Sequence, residues 1–209
     1  ARTLRFFAAI LSMIFPAVYV AVATWHTSLL PTKLVLSMAE ARQGVPFPAL
    51  GEILLMEISF ELLKEAGIRL PGPMGNTIGI VGGLIIGQAA VDASLVSPIV
   101  VIVVAFTALC SFAIPNEEFA SAFRILKYGC IFMGAWLGLY GVALSGLWVL
   151  IHLSHLNSFG IPYLMPYVAA DVNGYEDKKD SLFRFPLKYC VRRPIFARRG
   201  ERIKLRKRD

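Results

Sequence analysis

Apolar positions fall in four long runs, separated by polar or proline-rich breaks. The first, "LRFFAAILSMIFPAVYVAVATW", covers Leu4 to Trp25. At about 1.5 Å per residue a helix of this length crosses a hydrocarbon core of about 30 Å. Pro16 falls mid-run and predicts a kink that serves packing. Residues 28–48 read as a loop with one short helical piece, closed by the two prolines of "GVPFP". Residues 50–66, "LGEILLMEISFELLKEA", predict a helix of another kind. Glu57, Glu61 and Glu65 are spaced four apart on one face, with Glu52 near it. Carboxylates in that number do not face lipid cheaply. The helix is therefore expected to lie in the interface, to dip in and return, or to turn its acidic face to water or protein.

Pro71, Gly72 and Pro73 then mark a turn. Asn76–Leu95 and Ile99–Ile114 are apolar runs broken at "VSP", where Pro98 can start a new helix. "PNEEFASAFRILK" reads as a polar break, and Ile125–Leu153 as one long final run. The expected fold is an all-α polytopic membrane protein of about four spans, with an acidic interfacial or re-entrant helix and a basic cytosolic tail. Residues 1–167 form the helical membrane domain in this reading, and 168–209 the polar, then basic, tail.

One stretch carries unusual residues. In "GNTIGIVGGLIIGQAAVD" the glycines Gly75, Gly79, Gly83 and Gly87 recur every fourth position. In lipid, helices associate through close backbone packing, which small residues allow. The stripe predicts a tight helix contact, within one chain or between identical chains. Gln88 and Asp92 close the stretch. An ionisable group at membrane depth points to function, whereas Asp92 near a helix end also suits a cap or a headgroup contact.

Composition narrows the class. Of 209 residues 56% are hydrophobic and 17% charged, with a mean hydropathy of +0.64; a soluble domain carries charge on about a quarter of its residues. The net charge is +7, yet residues 184–209 hold eleven Lys/Arg against Glu201 and Asp209, leaving the rest at −2. Beside apolar runs such a tail marks the cytosolic side or anionic lipid headgroups rather than nucleic acid. Arg2 and Arg5 favour an inside start, so an even number of spans is expected. Cys110, Cys130 and Cys190 give neither a disulfide framework nor a metal spacing. His152 and His155 lack the neighbouring Glu and the spacing of a zinc peptidase. No catalytic residues, metal or cofactor are expected, and an enzyme is disfavoured.

"ARQGVPFPALGEILLMEISFELLKEAGIRLP", "IGIVGGLIIGQAAVDASLVSP", "SFAIPN" and "SFGIPYLMPY", in that order, resemble the membrane region of the A subunit of bacterial spore germinant receptors. The resemblance runs from about Arg2 to Tyr167. It implies a multi-pass subunit of the spore inner membrane that assembles with itself, as a pentamer, into a nutrient-gated ion channel. It further implies two companions, a transporter-like B subunit and a lipoprotein C subunit. Family members carry a soluble cytosolic domain before the first span; a chain starting at Ala1 is expected to be a fragment beginning at the membrane. Within this reading Glu57 and Glu61, then Glu52 and Glu65, are the expected cation-attracting residues, with Gln88 and Asp92 along the path. A secondary transporter is the competing reading, suggested by broken helices and an intramembrane carboxylate.

Overall fold

The computed structural model describes residues 2–69, 74–114, 116–158, 161–164 and 167. Seven helices follow one another: α1 (Arg2–Trp25), α2 (Thr32–Ala41), α3 (Ala49–Arg69), α4 (Met74–Asp92), α5 (Pro98–Phe112), α6 (Glu117–Leu137) and α7 (Leu139–His155). A 3-10 turn, Thr27–Leu29, separates α1 from α2. A minimal antiparallel hairpin pairs β1 (Asn157–Ser158) with β2 (Ile161–Pro162), a small departure from the all-helical expectation. The expected basic tail, Cys190 and the turn at Pro71–Pro73 lie outside the described residues.

The chain forms two compact units. One comprises residues 8–146; the other comprises the described parts of 1–7 and 147–209. In the second unit the rings of Trp148 and His152, one helical turn apart, stack at 5.7 Å, and Tyr163 N donates to Leu156 O at the hairpin.

Residues 8–146 hold the core. Ala17, Val20 and Ala21 of α1, Ile53 and Met56 of α3, Val100 and Val104 of α5, and Cys130 and Ile131 of α6 are buried together. The small residues of α1 let α6 come close: a Cβ added to Gly134 would stand 2.8 Å from the Ala17 carbonyl oxygen. This is backbone-to-backbone packing of the kind that holds helices where water supplies no drive.

Two sequence expectations change. The expected polar break after Pro115 is the first turn of α6, because the Asn116 side chain accepts from Glu118 N at 2.9 Å and Phe119 N at 3.3 Å and so caps the helix. The expected single run Ile125–Leu153 is two helices. Gly138, at φ +64, ends α6, and a Cβ there would meet the His26 ring at 2.6 Å. Only glycine takes that backbone conformation freely.

Of the four expected spans, one is shown. Among the described residues α1 alone is long and apolar enough, by length and composition, to cross a membrane. The other apolar helical segments, Val81–Asp92, Pro98–Phe112 and Leu139–His155, are shorter. The 15 residues of α5 reach about 22 Å.

Candidate functional site

The sequence marks α3 by its four carboxylates, and the fold turns most of them inward. Glu52 and Glu57 are buried, while Ile58, Leu62 and Ile68 of the same helix are exposed, Leu62 to 67%.

Each carboxylate has a cation beside it. The Glu52 side chain is 0% exposed; its Oε1 takes Arg42 Nε at 3.1 Å, and its Oε2 accepts Ser97 N at 2.8 Å. Ser97 is the N-cap residue of α5, so Glu52 satisfies an amide that the first turn of α5 leaves open. Glu57 Oε2 accepts Lys127 Nζ at 2.5 Å, with the side chains 4% and 9% exposed; Glu57 Oε1 is buried without a partner. Glu61 Oε1 lies 2.6 Å from Arg124 Nε, an ion pair without an aligned hydrogen bond. Glu65 pairs one turn along its own helix with Arg69, at 2.7 Å, and is exposed. The hydrogen bond from Arg69 holds the Glu65 carboxyl below the usual carboxylate range.

Two of these pairs form rungs. Glu57 and Glu61 are four apart on α3; Lys127 and Arg124 are three apart on α6. Both spacings put the paired side chains on one helix face, so α3 and α6 are joined by two ion pairs one turn apart. Carboxylate spacing alone does not point to Arg42, Arg124 and Lys127. Their signal was present: two basic residues three apart at the head of an apolar run, matching two acidic residues four apart.

The glycine stripe is divided by the fold. A Cβ on Gly83 would stand 3.1 Å from Phe60 Cε1 of α3, and one on Gly87 3.2 Å from Val101 Cγ1 of α5. Off the stripe, a Cβ on Gly82 would stand 2.6 Å from Leu63 Cδ2. Gly79 has nothing within 4 Å. The contacts of Gly75 lie outside the described residues. Approaches tighter than those at Gly83 and Gly87 occur at Gly134, Gly138 and Gly141; a Cβ on Gly141 would overlap the Met133 carbonyl. The reading of the sequence missed these, although Gly134 and Gly138 are themselves four apart.

Gln88 and Asp92 sit on the exposed face of α4, with Val81, Leu84 and Ile85. Neither side chain has a polar partner among the described residues. Cys110 and Cys130 are buried thiols, and among the described residues no three His, Cys, Asp or Glu side chains gather as metal ligands.

Comparison with known proteins places the chain. The family described as Bacillus/Clostridium GerA spore germination protein matches residues 1–196. Spore germination protein GerLA of Bacillus cereus is 46% identical over 195 residues, 93% of this chain and 39% of that protein. Spore germination protein A1 of Bacillus subtilis (strain 168) is 46% identical over 190 residues, 90% of this chain and 38% of that protein. The membrane protein YfkQ of the same organism, described as uncharacterized, is 43% identical over 211 residues, 100% of this chain and 40% of its own length. The chain thus spans about two fifths of the curated relatives it matches, and no solved structure matches it. With the match running from the first residue through every helix described above, the chain belongs to the GerA family of spore germination proteins.

Proposed function

We propose that this chain is the membrane part of a germinant-receptor A subunit, and that it forms a nutrient-gated cation path by assembling with copies of itself. The reading places it as a multi-pass protein of the spore inner membrane with its tail cytosolic, beside anionic lipid. Its companions are a transporter-like B subunit and a lipoprotein C subunit, and the homo-oligomer is a pentamer. Family membership supports the receptor role.

One observation carries the ion path. The outward face of α4 joins Val81, Leu84 and Ile85 to Gln88 and Asp92, which have no polar partner among the described residues. A lipid-facing helix does not carry an unsatisfied amide and carboxylate without large cost. A water-filled path or a second copy of the chain relieves that cost. Repeated by symmetry, Asp92 becomes a ring that concentrates cations. The α3 carboxylates form a second tier. At rest Lys127 and Arg124 neutralise Glu57 and Glu61; separation of α3 from α6 would release them to the path.

The test is nutrient-triggered cation release from spores carrying Asp92→Asn in the full receptor, at matched abundance. Slower release with reduced cation selectivity is expected. Release at the unaltered rate and selectivity would remove α4 from the path.

A further inference from the structure

A cavity of about 30 Å³ opens between α1, α3, α5 and α6. Its polar lining consists of Ser12, Glu61, Lys64, Ser111, Arg124 and Lys127. Three of these are cations. The carboxylates facing them are Glu61, in the lining, and Glu57, bound to Lys127 behind it. Glu65, the next carboxylate along α3, is taken by Arg69. Three cations against two carboxylates leave one positive charge over, and it belongs to Lys64. Among the described residues its ammonium has no carboxylate partner and rests only against the Phe112 ring, 5.4 Å from the centroid.

An uncompensated charge in a partly buried crevice is costly, and a counter-ion removes the cost. The first turn of α6, with Ala120 in the lining, is already capped by Asn116 and carries Glu117 and Glu118, so the positive charge at the cavity rests on side chains. The carbonyls at the end of α5 oppose an anion; two of them are engaged, since Ala113 N donates to Cys110 O and Ile114 N to Ser111 O. Arg124 meets Glu61 through Nε, and its guanidinium carries further N–H donors. Ser12 and Ser111 add hydroxyl oxygens, at present donating to Ala9 O and Ala108 O.

We propose that this cavity binds a compact, singly charged anion, held by Lys64 of α3 and by Arg124 and Lys127 of α6. Its volume leaves room for about two water-sized groups. It suits a halide or the charged oxygens of one phosphate group. The anion has two sources: a free inorganic ion, or the phosphodiester of an anionic lipid headgroup. Exposed Phe112 and Phe119, from the two helix ends that border the cavity, offer apolar surface to acyl chains. The site needs no ion flux, so it stands or falls apart from the channel reading.

Thermal unfolding of the full chain tests it. In neutral detergent, inorganic phosphate is titrated at constant ionic strength with gluconate as the bulky balancing anion. In parallel, nanodiscs of phosphatidylcholine are compared with nanodiscs of increasing phosphatidylglycerol. Saturable stabilisation by phosphate assigns a free anion; stabilisation by phosphatidylglycerol alone assigns a lipid headgroup. Lys64→Gln is expected to raise the half-saturation point about tenfold, the loss of one charge-assisted contact, and Lys64→Arg to retain it. If neither probe stabilises the unaltered chain saturably, or if Lys64→Gln titrates as the unaltered chain does, the site does not exist.

Discussion

Glu57 and Lys127 show how much a single residue pair decides. They are 70 positions apart in sequence and meet in a buried contact. Glu57→Gln leaves the Lys127 ammonium buried opposite a neutral amide. Breaking one side of a buried pair costs about 3–5 kcal/mol, so the midpoint of thermal unfolding in detergent should fall sharply. Replacing both, Glu57→Gln with Lys127→Met, removes the stranded charge and should recover most of that loss. A double variant as unstable as the sum of its singles would show that the two side chains do not act as a pair. Glu65 offers the control. It is exposed and paired along its own helix, where such contacts contribute little, and Glu65→Gln should leave the midpoint unchanged. From sequence Glu57, Glu61 and Glu65 look equivalent, being four apart on one helix. The difference among them comes from what stands opposite, which depends on how α6 is laid against α3.

The helices themselves were largely legible. The acidic helix expected over 50–66 is Ala49–Arg69, and the run expected over Ile99–Ile114 gives Pro98–Phe112. Apolar composition and proline breaks set these bounds through local backbone physics. The long run over Ile125–Leu153 was misread as one helix because its interruption is a single glycine in an apolar context. Gly138 breaks it through a positive φ and a contact with His26, and neither is visible locally. Gly138→Ala should cost about 1–3 kcal/mol from backbone strain alone. Unfolding and proteolysis between α6 and α7 should report it, and an unaltered midpoint would show that the break does not depend on glycine. Gly134→Ala should destabilise too, since its Cβ would press on the Ala17 backbone; overpacking of this kind costs about 1–3 kcal/mol. Gly79→Ala should do the reverse. With nothing within 4 Å of its Cβ, it should gain the alanine helix preference, about 0.5–1 kcal/mol.

At the scale of the whole molecule, Gly79 becomes informative for another reason. Gly83 and Gly87 are filled by Phe60 and Val101 within the chain, and Gly79 is open. If copies assemble through α4, the open end of the stripe is where a second backbone fits. Gly79→Leu should then leave the unfolding midpoint of the isolated chain no lower than its original value while lowering the oligomer mass measured by light scattering in detergent. An unchanged mass would place the subunit contact elsewhere. Topology is testable at the same scale. A cysteine introduced near Arg198 should be labelled only from the cytosolic side, the side that the basic tail favours. Labelling from the opposite side would reverse the proposed orientation.

The sequence by itself determined the helical class, the bounds of most helices, the acidic stripe and the glycine stripe, and it carried the family resemblance. These depend on local periodicity, on proline and glycine, and on residue strings that a family shares. Tertiary structure decided which carboxylates are neutralised, which glycines are filled and which polar groups remain without partners. Glu57 finds Lys127, Gly83 finds Phe60, and Asp92 is left on an outward face. The physical reason is that charge compensation and close packing are properties of pairs. Spacing along one helix fixes which side chains share a face, and only the neighbouring helix fixes what that face meets.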